Sequence, residues 1–578
     1  MKISSSISSS HKKPNFQQNW IPTAAWCGRL ILPEKSSRQG GDVSIELRQV
    51  PEEFSYLKGK VVTLRLAASR WTELATQDIE FTEATKRNQA KGNLSPERLN
   101  GWDLVSPLES LAGARLKDDM LVSLGQVTLE DNPPVLTIEN EPVQVSGSEK
   151  ALVRFEKKLP NGRWRIRHWN KSSRDFTGPY ETVECLSAEA IDPLLDTSMN
   201  QQGYYLYAEP THASGNRLVK ALEPRSVTSL VADQVMLGKR RSLWYLNSEN
   251  WRLESLKKGE FCKTLLDADK EEKHKPIDIR AQVAEHFYPG QTYLVVHNFG
   301  GKGEGEGIGG LTTGHMSVGT AQVVKDEFTA EPRLDIEYSQ VYAHNPEGIV
   351  AGRLKWHSYM ASLESSEGSN PRGWMYHRPI SDVLVKVPEL QQEGGFKPLD
   401  ILQNRLSEMT ARYRTGEGDG AAIVTAAQSC SADTAQALFA AAKDWERAVA
   451  GGLASEELLN FSHLIVSQVA PLCGLAPAAW QKTAKAMEKA DPKRGRWLPA
   501  LLSPKTVLPR DHADGLVGKL LESKHTALIL KTDIILSDPA HLPAPPTTMF
   551  TFWQHDATRR HSEFRNLCQA RRYAEALF

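Results

Sequence analysis

Strand-like alternation fills most of the chain up to Val387, and then at Pro388 the pattern changes to runs of Ala and Leu at helical spacing. Segments such as Val43–Leu47, Lys60–Leu66, Leu152–Phe155 and Arg163–His168 alternate apolar and polar residues, with Pro and Gly between them. A period of two buries one face of a strand. After the switch, Leu399–Tyr413, Ala432–Val449 and the amphipathic stretch Ser455–Ala490 repeat at the helical period. Strands first and helices afterwards exclude a doubly wound parallel sheet and define an α+β class.

Five regions follow from these shifts. Residues 1–22 are Ser-rich and polar and read as a disordered tail. Residues 23–148 read as a β-barrel or sandwich module, and 149–225 as a second β module. Residues 226–450 form a central α+β domain with an antiparallel sheet, and 451–578 a mostly helical C-terminal region. Between Ser229 and Ile277 the reading is helical and charged. Buried strands follow at Gly290–His297, Gly314–Val324, Leu334–Tyr342 and Asp382–Val387, with a further strand near Ala527–Leu530 and a last helix near Phe564–Leu577.

Composition narrows the function classes. Lys plus Arg and Asp plus Glu number 70 each, so the chain lacks the basic excess of a dedicated nucleic-acid binder. Clusters such as Lys239-Arg240-Arg241 and Arg559-Arg560 are short and read as solvated. No apolar run reaches the ~18 residues of a membrane span. The six cysteines have no C-x-x-C spacing, which suits a reducing, cytoplasmic setting and suggests neither a disulfide framework nor a zinc site. His297, His357 and His377 do not stand at the spacing of a known metal motif. No metal and no cofactor are expected.

The chemistry-bearing stretch runs from His297 to Trp445. Its glycines, Gly300 to Gly310, lead into a strand rather than a helix, so they lack the amide cradle of a phosphate loop and read as a flap. On the strand Gly314–Val324, His315 shares one face with Ser317, Gly319, Ala321 and Val323, and these small neighbours leave room for a general base. Cys430 stands at the start of a helix whose Ala435, Leu438, Phe439, Ala442 and Trp445 form a core face. Amides at a helix start favour thiolate. A turn centred near Thr329 would set His315 opposite the neighbourhood of Ala343. Of the same-parity residues there, His344 is the first candidate to orient the imidazole and Gln340 the second.

Four segments carry a family resemblance: HNFGGKGEGEGIGGLTTGHMSVG, YSQVYAHNPEGIVAG, RYRTGEGDGAA and SCSADTAQALF. They resemble cyanobacterial proteins catalogued as predicted Abi (CAAX) family proteases. That label implies an intramembrane metalloprotease with Glu-Glu and His motifs on membrane-spanning helices. In this chain Glu52-Glu53, Glu271-Glu272 and Glu456-Glu457 lie in polar or amphipathic settings. The order of histidine strand, polar strand and cysteine helix is also similar to circularly permuted NlpC-type papain-like domains, the group of lecithin–retinol acyltransferase. This resemblance implies a papain-like core with Cys430 and His315 as the reacting pair, and an inserted segment such as Trp356–Gly395. The function expected is a cysteine hydrolase or acyl-transfer enzyme on a peptide, amide or ester. The alternatives are a binding or scaffold protein, with Trp164, Trp169, Tyr204 and Tyr205 lining a groove, and a soluble part of a CAAX-type protease system.

Overall fold

The computed structural model describes residues 19–37, 41–67, 107–114, 119–187, 191, 195–210, 216–247, 261–270, 278–300, 307–308, 311–312, 314–341, 351–364, 380–388, 397–411, 430–452, 455–469 and 509–532. They form a mixed α+β protein of three packed parts.

The first part is a small barrel. After a two-residue strand β1 (Ile21–Pro22) come β2 (Trp26–Ile31), β3 (Val43–Gln49) and β4 (Val61–Leu66), then helix α1 (Pro107–Ala112). Next are β5 (Leu121–Leu124), β6 (Val127–Glu130), β7 (Val135–Ile138) and β8 (Val143–Gln144). β2, β3 and β4 form a meander, and β7 joins β4 in parallel. β5 returns to β2 while its continuation β6 pairs with β7, which closes the ring. The strict alternation of β3, buried at Val43, Ile45 and Leu47, supplies the inner wall.

The second barrel repeats this plan. β9 (Glu149–Lys158), β10 (Trp164–His168) and β11 (Tyr180–Cys185) form a meander. Two short helices, α2 (Ser198–Gln202) and α3 (Arg225–Thr228), flank β12 (Tyr204–Pro210) and β13 (Arg217–Pro224). β13 lies parallel to β11 and antiparallel to β12, and β12 closes on β9. The residues proposed for an exposed aromatic groove are instead inside: Trp164, Tyr204, Tyr205 and Trp169 are all buried. Apolar rings contribute most when removed from water, and the barrel wall offers that place.

The third part is a central sheet. Its strands are β14 (Gln234–Leu237), β15 (Phe261–Asp267), β16 (Thr292–Gly300), the short hairpin arms β17 (Gly307–Ile308) and β18 (Leu311–Thr312), β19 (Gly314–Lys325), β20 (Pro332–Gln340), β21 (Gly352–Lys355), β22 (Ile380–Lys386) and β23 (Thr526–Thr532). The order is β14-β15-β23-β22-β16-β19-β20-β21, and one β21–β8 bridge ties it to the first barrel. The helices are α4 (Lys239–Asn247), α5 (Ile279–His286), α6 (Trp356–Met360), α7 (Pro398–Ala411), α8 (Cys430–Ala450), α9 (Glu456–Val469) and α10 (Pro509–Glu522). None of the described helices is long and apolar enough to cross a membrane.

Two expectations change. The segment Ser229–Ile277 is not wholly helical, because β14 and β15 pair in parallel on either side of α4. Lys263 disguised β15. Its buried amino group donates to the Ser226 and Ser229 carbonyls, and burial pulls its pKa down to about 7, so a lysine sits inside a strand. In addition, β23, placed by sequence within the C-terminal region, lies between β15 and β22 in the central sheet. The segments Trp374–His377 and Phe564–Leu577, and Arg559-Arg560, lie outside the described residues.

The sheet faces two cores. On one side Leu294, Val296, Met316 and Val318 pack with Leu438, Ala442, Trp445, Phe461 and Leu516 of α8, α9 and α10. On the other side Tyr293, Val295, Ala321, Ile336 and Tyr338 merge with the interior of the second barrel.

Candidate active site

β16 and β19 flank the Gly-rich segment, and toward that end their pairs run from His297 with Ser317 through Phe299 with His315 to Gly300 with Gly314. β22 lies on the other side of β16 and pairs Asp382 with His297. Polar side chains therefore gather at this end of the sheet.

The β19–β20 register decides which residue meets His315. Asp326 shapes the turn by accepting from the amides of Phe328 and Thr329, and Lys325 pairs with Pro332. Val318 consequently lies opposite Ser339, which puts the turn centre between Phe328 and Thr329 rather than on Thr329. Gln340 then meets the His315 face. Its Oε1 is 2.8 Å from His315 Nε2, and its Nε2 donates to Ser317 Oγ at 3.1 Å. His344, the first candidate from sequence, lies outside the described residues.

Gln340 turns its oxygen toward the imidazole and its nitrogen toward Ser317. With the Gln340 oxygen accepting, His315 carries its proton on Nε2, and Nδ1 is left as the basic nitrogen. Burial is the first cause that drives the His315 pKa down from 6.5 to about 3; the nearby His297 adds to this and Gln340 opposes it. The ring is therefore neutral at physiological pH.

Beside this pair lies a second one that sequence reasoning missed. His297 Nδ1 is 2.7 Å from Asp382 Oδ1, and the Tyr338 hydroxyl donates to Asp382 Oδ2 at 2.6 Å. The His297 and His315 ring centroids are 6.4 Å apart, and Tyr359 packs edge-on to His297 at 5.2 Å. A polar residue at the buried end of an otherwise apolar strand was the available signal. Its partner Asp382 is 85 residues away, beyond any local pattern. Among the described residues no group of three or more His, Cys, Asp or Glu could hold a metal ion.

Cys430 is the first residue of α8 and is 5% exposed. Burial raises its thiol pKa, while hydrogen bonds from the backbone amides of Met316 and Ser431 pull the other way. The helix start thus brings the thiol to the residue that follows His315. Cys430 shares the helix-side core with Met316 and Val318. Strand alternation sends His315 and Ser317 to the opposite face, beside Gln340 and Tyr338. The thiol is also within electrostatic reach of the Tyr359 hydroxyl, which lies on the His315 side against His297.

Comparison with protein-family models, curated proteins and solved structures finds no match.

Acid sensitivity is expected from this site. The folded-state pKa of His315 lies below the ordinary value of 6.5, so the unfolded chain binds more protons between about pH 3 and 6.5. The associated stability is present above 6.5 and is lost as pH falls toward 3, at up to ~1.4 kcal/mol per pH unit. His357, also buried and depressed, acts in the same sense. Urea melts between pH 7 and pH 4 should be less pH-dependent in His315→Gln than in wild type. Equal slopes would show that His315 does not titrate on unfolding.

Proposed function

We propose that the chain is a cysteine-dependent hydrolase or acyl-transfer enzyme acting on a peptide, amide or ester carbonyl. The observation that carries this reading is the Gln340 amide held by Ser317 against His315 Nε2. It presets the tautomer that a general base needs, as a papain-like site does with its third residue.

In this reading Cys430 Sγ gives its proton to His315 Nδ1 and attacks the carbonyl carbon. The tetrahedral oxyanion takes amide hydrogen bonds at the start of α8. Collapse expels the leaving group, which takes the proton back from His315, and an acyl-thioester remains. Water or an acceptor nucleophile then attacks the thioester while His315 removes its proton; the C–S bond breaks, and the departing Cys430 thiolate takes that proton from His315, restoring thiol and neutral imidazole. Because both groups rest neutral, the resting enzyme holds thiol and imidazole rather than an ion pair. The thiol has to swing from the Met316 amide toward the His315 side before it can react.

An activated ester supplies the test. With p-nitrophenyl acetate, wild type should release nitrophenol and gain an acetyl group on the Cys430 peptide, read by mass spectrometry. The rate should fall at least about tenfold in Gln340→Ala and in His315→Ala. Acetylation of Cys430 that ignores both substitutions, or that appears equally on Cys27, Cys185 and Cys262, would remove the nucleophile assignment.

A further inference from the structure

The second barrel carries a feature unconnected with the thiol. The alternation Arg163-Trp164-Arg165-Ile166-Arg167 sends Trp164 and Ile166 into the core and leaves three arginines outside. Strand pairing extends this pattern sideways. Arg165 stands between Lys157 of β9 and Thr182 of β11, and Arg167 between Arg154 and Tyr180. Two neighbouring cross-strand rows are thus cationic. Like charges side by side on a sheet are unfavourable in the free protein.

Carboxylates relieve only part of this. Arg154 meets Glu156 at 3.4 Å and Arg163 meets Glu184 at 2.8 Å. Among the described residues no carboxylate forms an ion pair with Lys157, Arg165 or Arg167. In their midst the Tyr180 ring is 54% exposed, with the Arg165 and Arg167 guanidinium carbons 4.9 and 3.9 Å from its centroid. Lys171 and Arg174 are exposed in the connection from β10 to β11.

We infer that this face binds single-stranded nucleic acid. Cations along a groove follow phosphates, and an exposed ring among them stacks on an unpaired base. The topology supports the same face independently. A three-strand meander, a helix, and two further strands closing the ring with β11 parallel to β13 is the order of oligonucleotide- and oligosaccharide-binding barrels. Their ligand face is formed by the second and third strands, here β10 and β11. The zero net charge of the whole chain, which argued against nucleic acid, averages this local excess away.

Fluorescence anisotropy of a labelled oligothymidine of about 16 nucleotides, titrated with the full chain at about 50 and 200 mM salt, tests the inference. Binding should weaken about tenfold in Tyr180→Ala and persist in Tyr180→Phe. Arg165→Gln and Arg167→Gln should each flatten the dependence of log affinity on log salt by about 0.7. Lys519→Gln, half-buried on α10 and paired with Glu522, should change nothing. No binding at low salt would overturn the inference. So would duplex DNA or heparin binding as tightly as the single strand with no effect of Tyr180→Ala, since that pattern is plain polyanion attraction. Each variant's thermal melt is measured alongside, and Tyr180→Phe keeps the test decisive if Tyr180→Ala unfolds.

Discussion

Arg333→Met is expected to destabilise the protein by about 3–5 kcal/mol, the range for removing one partner of a buried ion pair. Arg333 on β20 is only 7% exposed. Its Nη1 is 3.0 Å from Glu223 Oε1 on β13, and its Nε is 3.4 Å from Asp326 Oδ2. The Tyr207 hydroxyl donates to Glu223 and the Tyr205 hydroxyl to Asp326, so both carboxylates are tied to the second barrel as well. The guanidinium is thus the cation that allows the barrel and the central sheet to share a charged contact in a dry place. Even so, desolvation outweighs its attraction and leaves the Glu223 pKa raised. Without Arg333, Glu223 should take up a proton more readily still, and the loss should therefore shrink between pH 7 and pH 5. Urea denaturation at both pH values reads this, and the double variant Arg333→Met, Glu223→Met should recover much of the loss. A single-variant loss below about 1 kcal/mol would mean that the contact is solvated after all.

Gly319→Ala should cost about 3 kcal/mol or more and disable the site as well. A Cβ built on Gly319 falls 2.1 Å from the Glu337 carbonyl oxygen and 2.9 Å from the Tyr338 Cα. Both are backbone atoms of the paired strand, so no side-chain rotation can relieve the contact. Overpacking a core commonly costs about 1–3 kcal/mol where side chains can shift, and here they cannot. Relief requires β20 to move away from β19. Gln340 is two residues beyond Tyr338, so that movement draws its amide off His315. Stability by urea melt and Cys430 acetylation should therefore fall together. Gly518→Ala on α10 is the control: its Cβ would sit 3.6 Å from Leu246 Cδ2. An alanine there should be neutral or stabilising by up to about 1 kcal/mol. Normal stability and acetylation in Gly319→Ala would show that the strands can part without loss.

How much of this was legible in the sequence differed by region. Where one face of a strand is buried, alternation announced it, as at Val43–Leu47 and Arg163–His168. The helix from Cys430 was legible because Ala435, Leu438, Phe439, Ala442 and Trp445 recur on one face, and all of them are buried. Strand β13 was not, since RLVKALEP contains good helix formers and becomes a strand only by closing a barrel. The candidate site was half legible. His315, Gln340 and Cys430 could be named from parity and helix position. Whether the parity of Gln340 and His344 faces His315 depended on half a residue in the position of a turn, which Asp326 sets by bonding two amides. The pairing of His297 with Asp382 required knowing that β22 lies beside β16. The assignment of Cys430 to the helix side of the sheet needed the packing of α8, which no spacing in the chain records.

The position of β23 also bears on how the chain is made. Each barrel is assembled from contiguous segments, so it can close soon after its last strand leaves the ribosome. The central sheet cannot. Thr526 on β23 and Asp267 on β15 are separated by 259 residues, and β23 fills the place between β15 and β22. Until that strand is translated, the nascent chain holds two finished barrels and two half-sheets with facing unpaired edges. Open edges are templates for pairing with other chains. The interval between translating β22 and β23 is therefore when this protein is most exposed to aggregation, and when a holdase has the most to protect.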